Sequence, residues 1–79
     1  MIRIEFEAPI GMDTVREWSV SRDGQYIISG ATSADAEEII ESYVPGAAPD
    51  EAVEIVHAPA CRHETIQISR TTIREIMAD

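Results

Sequence analysis

Three side chains with chemistry to offer stand close together: His57, Cys61 and His63, spaced H-x3-C-x-H, with Glu64 beside the last of them. Imidazole and thiolate are ligands that zinc favours, and a carboxylate would complete a tetrahedral set. Structural zinc sites, however, usually draw two ligand pairs from separate segments, and here every candidate belongs to one turn stiffened by Pro59. The competing reading is a surface hairpin with two solvated imidazoles and an incidental thiol. As a Cys–His nucleophile pair the trio lacks an oxyanion site and an orienting third group. There is no nucleophile elbow, no glycine-rich phosphate loop and no D-x-D-x-D-G calcium loop. The expectation is a non-enzymatic chain with no catalytic residue, no metal and no cofactor.

Carboxylates are the second group. Asp35, Glu37, Glu38 and Glu41 fall on "ATSADAEEIIESYVPG", a stretch without Lys or Arg, and Glu5 and Glu7 alternate along "MIRIEFEA". Acid–base work by Glu5 and Glu7 is not expected, because the solvent face of a strand shapes no pocket and leaves pKa values ordinary. The whole chain is acidic, with 15 Asp and Glu against 6 Arg, no Lys and a net charge of −9. That exceeds the roughly 2–8 usual for a small domain. It repels nucleic acid and anionic membranes. Trp18 and Tyr26 are therefore read as rings in the core or at its edge, not as a base-stacking platform.

The elements that would position these groups follow from composition and spacing. Twelve Ile and five Val with no Leu favour strands, because β-branched side chains suit a pleated surface. Residues 1–79 make one compact domain. "MIRIEFEA" alternates, with Ile2, Ile4 and Phe6 on one side. "TVREWSVS" and "QYIISGA" flank "RDG", a hairpin signal. A two-residue Asp23-Gly24 loop would put Val20 opposite Ile27. A three-residue loop, Arg22 to Gly24, puts Val20 opposite Tyr26 and Trp18 opposite Ile28, and is preferred because it gathers the larger residues on one face.

A helix follows, capped by Thr32 or Ser33, with Asp35 in its first turn and Ala36, Ile39, Ile40, Tyr43 and Val44 as its apolar stripe. Pro45 and Gly46 end it. "EAVEIVHA" is a strand with Val53 and Ile55 on one face, "PACRH" a turn, and "ETIQIS" a strand through Ile66 and Ile68. "RTTIREIMAD" closes as a short helix burying Ile73, Ile76 and Met77, with Thr72 and Glu75 spaced as a capping box. The predicted fold is α+β: a mostly antiparallel five-stranded sheet with two helices, in the order β-β-β-α-β-β-α. One Cys cannot form an intrachain disulfide, the N-terminal stretch has no apolar h-region, and no apolar run approaches a membrane span. A cytoplasmic monomer or homodimer without membrane contact is expected.

On this helix Glu37 and Glu41 are like charges at i,i+4, which weakens it by a few tenths of a kcal/mol with no Arg in relief. An acidic, compact α+β chain of this length, with Asp35, Glu37, Glu38 and Glu41 on a helix and Glu5 and Glu7 on a strand, resembles the small phage-encoded inhibitors of bacterial defence systems, anti-CRISPR proteins above all. The resemblance rests on size, charge and fold class across the chain. It implies a DNA mimic acting in the host cytoplasm: carboxylates presented where a CRISPR effector expects phosphates. Strand residues two apart project side chains about 6.6 Å apart, of the order of successive phosphates. The partner implied is a protein with a basic surface, met mainly by Glu37, Glu38 and Glu41 and secondarily by Asp35, Glu5 and Glu7. The rival expectations are a regulatory or structural module whose acidity reflects a salt-adapted or GC-rich host, and a small metal-binding protein using His57, Cys61 and His63.

Overall fold

The computed structural model describes residues 1–9, 16–58 and 65–78. Along the chain run β1 (Ile2–Pro9), β2 (Arg16–Arg22), β3 (Gln25–Thr32), α1 (Ala36–Tyr43), β4 (Ala52–His57), β5 (Gln67–Thr72) and α2 (Ile73–Met77). The strands make one sheet in the order β3-β2-β1-β4-β5. The architecture is α+β, but the sheet is mixed instead of mostly antiparallel, and its order departs from that of the chain. β1 lies at the centre, antiparallel to β2 and parallel to β4. The reason lies in α1. Two hairpin-type pairings leave β3 running in the direction of β1, and a helix laid back across the sheet returns the chain to the end where β1 starts. The next strand then runs parallel to β1 and takes its vacant side.

Side-chain alternation sorts the sheet into two faces. Ile2, Ile4 and Phe6 of β1, Trp18 and Val20 of β2 and Val53 of β4 are buried beneath Ile39 and Ile40 of α1, its C-cap residue Val44 and Ile73 of α2. Each such aliphatic side chain removed from water contributes about 1.5–3 kcal/mol. Both helices thus cover the face of Ile2 and Ile4, and Arg3, Glu5 and Glu7 project from the other, outer face. Of the expected helix stripe, Tyr43 is less buried than its spacing suggests; it stands at the margin, tilted against Trp18 with ring centroids 5.5 Å apart.

The β2–β3 hairpin differs from both registers considered. Arg22 pairs with Gln25 across a two-residue turn in which Asp23 (φ 51) and Gly24 (φ 81) both have positive φ, as a type I′ turn requires. Ile27 is then an extra residue, a bulge between the pairs Ser21–Tyr26 and Val20–Ile28. The bulge restores the apolar face: Ile28 meets Val20, and Trp18 meets Gly30. Tyr26 is left on the outer face, 67% exposed, so the expectation of a core position holds for Trp18 and fails for Tyr26. Trp18 explains the glycine opposite it. A Cβ on Gly30 would lie 2.6 Å from the indole's Cζ2.

Both helix starts are capped. At α1 the cap is Asp35, whose Oδ1 accepts from the Glu38 amide at 2.9 Å. Thr32 does not cap it, because Thr32 is still paired in β3 and its Oγ1 accepts from the Trp18 indole at 3.2 Å. At α2, Thr72 accepts from the Glu75 amide at 3.3 Å. The Glu75 carboxylate accepts from the Thr71 hydroxyl at 2.8 Å, so half of the capping box forms. The first α2 amides, Ile73 and Arg74, donate to the carbonyls of Glu51 and Pro49, which satisfies donors a helix start would otherwise leave open. β5 begins three residues later than "ETIQIS" suggested and runs to Thr72. Its pairing sets Ile68 opposite Val56 on the outer face, and Ile66 and Ile68 are exposed. The expected turn over residues 59–63 lies outside the described residues.

Candidate functional site

The carboxylates proposed to act together divide between opposite sides of the sheet. Glu37, Glu38 and Glu41 are exposed on α1, over the apolar face. Glu5 and Glu7 stand on the outer face, so a single flat contact cannot use both groups. Asp35 is also on α1's N-terminal end, but its carboxylate is engaged as the cap. Glu37 and Glu38 lie in the first turn. There the helix dipole favours negative charge by about 0.3–1 kcal/mol each, which offsets the i,i+4 repulsion between Glu37 and Glu41. Local structure thus accounts for three of the four acids of this stretch, and Glu41 is the one held there without such support.

Pairing separates the acids further. The N-terminal amine bonds Asp23 at 2.6 Å, and this bond holds the Asp23 carboxyl below the usual aspartate range. Arg22 grips Glu51 through Nε and Nη2, tying the hairpin to the loop before β4. On the outer face Arg3, Glu54 and Arg70 lie in register on β1, β4 and β5. Glu54 is 5% exposed, with Arg3 Nη1 at 3.2 Å on one oxygen and Arg70 Nε at 3.2 Å on the other. Arg3 also holds Glu5 at 2.9 Å. Among the described residues, Glu37, Glu38 and Glu41 have no such cation.

Beyond Glu5 the outer face opens into a groove of about 580 Å³, walled by Glu5, Glu7 and Glu17 on one side and by Tyr26, Ser29 and Ala31 of β3 on the other. The expectation of ordinary carboxylates on a pocketless face fails here. Glu7 shares a hydrogen bond with Glu17, and that bond together with the repulsion of Glu17's charge pushes the Glu7 carboxyl above the usual glutamate range. Glu17 and Tyr26 of this groove are not legible as neighbours of Glu7 in the sequence, since their meeting depends on the two strand registers. The only signal available was the i,i+2 alternation placing Glu5 and Glu7 on one face.

His57 ends β4 exposed, its ring stacked on Phe6 with centroids 5.3 Å apart. Cys61, His63 and Glu64 lie outside the described residues. Among the described residues no group of three or more His, Cys, Asp or Glu side chains is placed to hold a metal ion, and no helix is long and apolar enough to cross a membrane. Comparison with protein-family models, with curated proteins and with solved structures finds no match to this chain.

Proposed function

We propose that this chain is a non-enzymatic binding protein that lays the acidic side of α1 on a basic surface of another protein, and that the surface is the nucleic-acid-binding site of a defence complex such as a CRISPR effector. One observation carries the reading: among the described residues, the arginines on Glu5, Glu51 and Glu54 and the terminal amine on Asp23 leave Glu37, Glu38 and Glu41 exposed on one short helix with no cation beside them. A basic channel evolved for phosphates gains by releasing its counterions to such a surface as it would to DNA. Glu37, Glu38 and Glu41 make the main contacts. Asp35 serves them as the cap that fixes the helix start. Glu5 and Glu7, on the far side of the sheet, are outside this contact.

The test uses purified CRISPR effectors and their target DNA. The chain should lower DNA binding by a susceptible effector. The combined variant Glu37→Arg, Glu38→Arg, Glu41→Arg should lose that effect while keeping its fold, and added salt should weaken the wild-type effect. Inhibition that survives the triple reversal removes α1 as the contact. No inhibition across effectors of every type sinks the reading itself.

A further inference from the structure

The two ends of the sheet are not alike. β5 is six residues long, carries Arg70 and turns directly into α2. β3 is eight residues long, forms the opposite edge and has no charged residue at all. Every second residue of an edge strand turns its N–H and C=O away from the sheet, and proteins that must not recruit another strand there place Lys, Pro or inward-pointing charge on it. β3 has only the bulge at Ile27, at its hairpin end; from Ile28 to Thr32 its pairing with β2 is regular.

Its outer-face side chains are small where they adjoin the acidic groove. Ser29 pairs with Ser19, and Ala31 pairs with Glu17. A strand added outside β3 would lie about 4.8 Å from it, hence roughly 10 Å from β2. A residue set opposite Ala31 on that strand would face Glu17 with only a methyl group between them. An Arg or Lys there spans the gap; a short side chain does not. Tyr26, exposed on the same face, offers its ring to a second cation two positions further along.

We propose that the β3 edge receives an extended segment of a partner protein as a sixth strand, and that this segment carries Arg or Lys at alternate positions, one directed over Ala31 toward Glu17 and the next over Ser29 beside the Tyr26 ring. Main-chain pairing supplies the affinity and the carboxylates supply the selection. The same chemistry disfavours a second copy of this chain at the edge. A second β3 would bring no cation to the groove, and its chain carries a net charge of −9 of its own. Protonation behaviour agrees, since a cation beside Glu7 and Glu17 relieves the repulsion that raises the Glu7 carboxyl. The inference does not depend on α1, which lies across the opposite face.

The test uses the full chain and three synthetic eight-residue peptides: alternating Arg and Val, alternating Glu and Val, and the Arg–Val peptide with Pro at its central Val positions. Binding is followed by amide chemical shifts and hydrogen exchange. The Arg–Val peptide should bind and slow exchange of amides within residues 28–32, and the other two should not. The double variant Glu7→Gln, Glu17→Gln, which removes a like-charge contact and so keeps the fold, should weaken binding roughly fivefold or more. The triple variant Glu37→Gln, Glu38→Gln, Glu41→Gln should leave it unchanged. Equal binding by the Pro-interrupted peptide overturns strand addition. Shifts confined to α1 overturn the site. Protection of residues 28–32 by a dimer of the chain without peptide overturns the choice of occupant.

Discussion

Gly30→Ala is a one-methyl test of how β2 and β3 pack. Gly30 has an ordinary strand conformation, so Ala would otherwise gain about 0.5–1 kcal/mol in an extended segment. The added Cβ, however, falls 2.6 Å from Cζ2 and 3.0 Å from Cε2 of Trp18, against about 3.5–4.0 Å for unstrained carbons. The indole must move by roughly 1 Å. It is 4% exposed, bonded through Nε1 to Thr32 and tilted against Tyr43, and has no slack on those sides. Overpacking of this kind costs about 1–3 kcal/mol, and weakening the Thr32 bond adds about 0.5–1.5 kcal/mol. The net loss is about 2 kcal/mol, or a fall in Tm of about 8–16 °C for a domain of this size. Urea and thermal unfolding followed by far-ultraviolet circular dichroism measure it directly, also in a background that lacks the chain's single Trp. In a Trp18→Phe background, where the six-membered ring of the indole is gone, the same Gly30→Ala change should cost nothing. A Tm within about 2 °C of wild type for Gly30→Ala, or an equal loss in both backgrounds, would refute the packing argument.

Glu54 gives an asymmetric pair of variants. Arg3→Met with Arg70→Met strands a buried carboxylate and should cost about 3 kcal/mol or more, whereas Glu54→Gln leaves two guanidinium groups that water can reach and should cost about 1 kcal/mol by chemical denaturation. Equal losses would mean that Glu54 is better solvated than its 5% exposure implies. Asp35→Ala removes the α1 cap and should destabilise by about 0.5–2 kcal/mol, with Asp35→Ser recovering most of it. Glu7 binds its proton more tightly in the folded protein than in the unfolded chain, so its contribution is unfavourable at neutral pH and improves as pH falls through its raised range. Glu17→Gln should therefore be more stable than wild type at neutral pH, with the gap in Tm closing as pH falls through the range in which Glu7 takes up its proton. Asp23 has the opposite sign: its lowered carboxyl adds stability above the usual aspartate range and loses it on further acidification. Acetylating the N-terminus should remove that acid-labile part of the stability curve.

The elements themselves were written locally. Alternation in "IRIEFEA", the stripe from Ile39 to Val44 and the Thr72–Glu75 spacing each depend on neighbours within four residues, and the strand and both helices form there, with Tyr43 left at the margin and half of the capping box made. The exposed carboxylates of α1 were legible for the same reason, since a helix with one apolar side leaves its other side to solvent. Local pattern reached its limit at the turn "RDG". The chain adopts a two-residue turn and then corrects its register with a bulge at Ile27. The hydrophobic partners Val20–Ile28 and Phe6–Trp18 choose that solution, and they are far apart in sequence.

What tertiary structure alone decided was which residues share a face. Glu5 and Glu7 were separated from Glu37, Glu38 and Glu41 once α1 covered the side of the sheet bearing Ile2 and Ile4. Glu17 met Glu7, and Glu54 met two arginines, only through strand pairings 10 to 51 residues apart in sequence. Charge and periodicity in a sequence specify how much acid there is and on which side of its own strand or helix it points. Where those sides face depends on the order in which strands join the sheet, and the burial of Ile, Val and Trp side chains drives that order without reference to the charges it brings together.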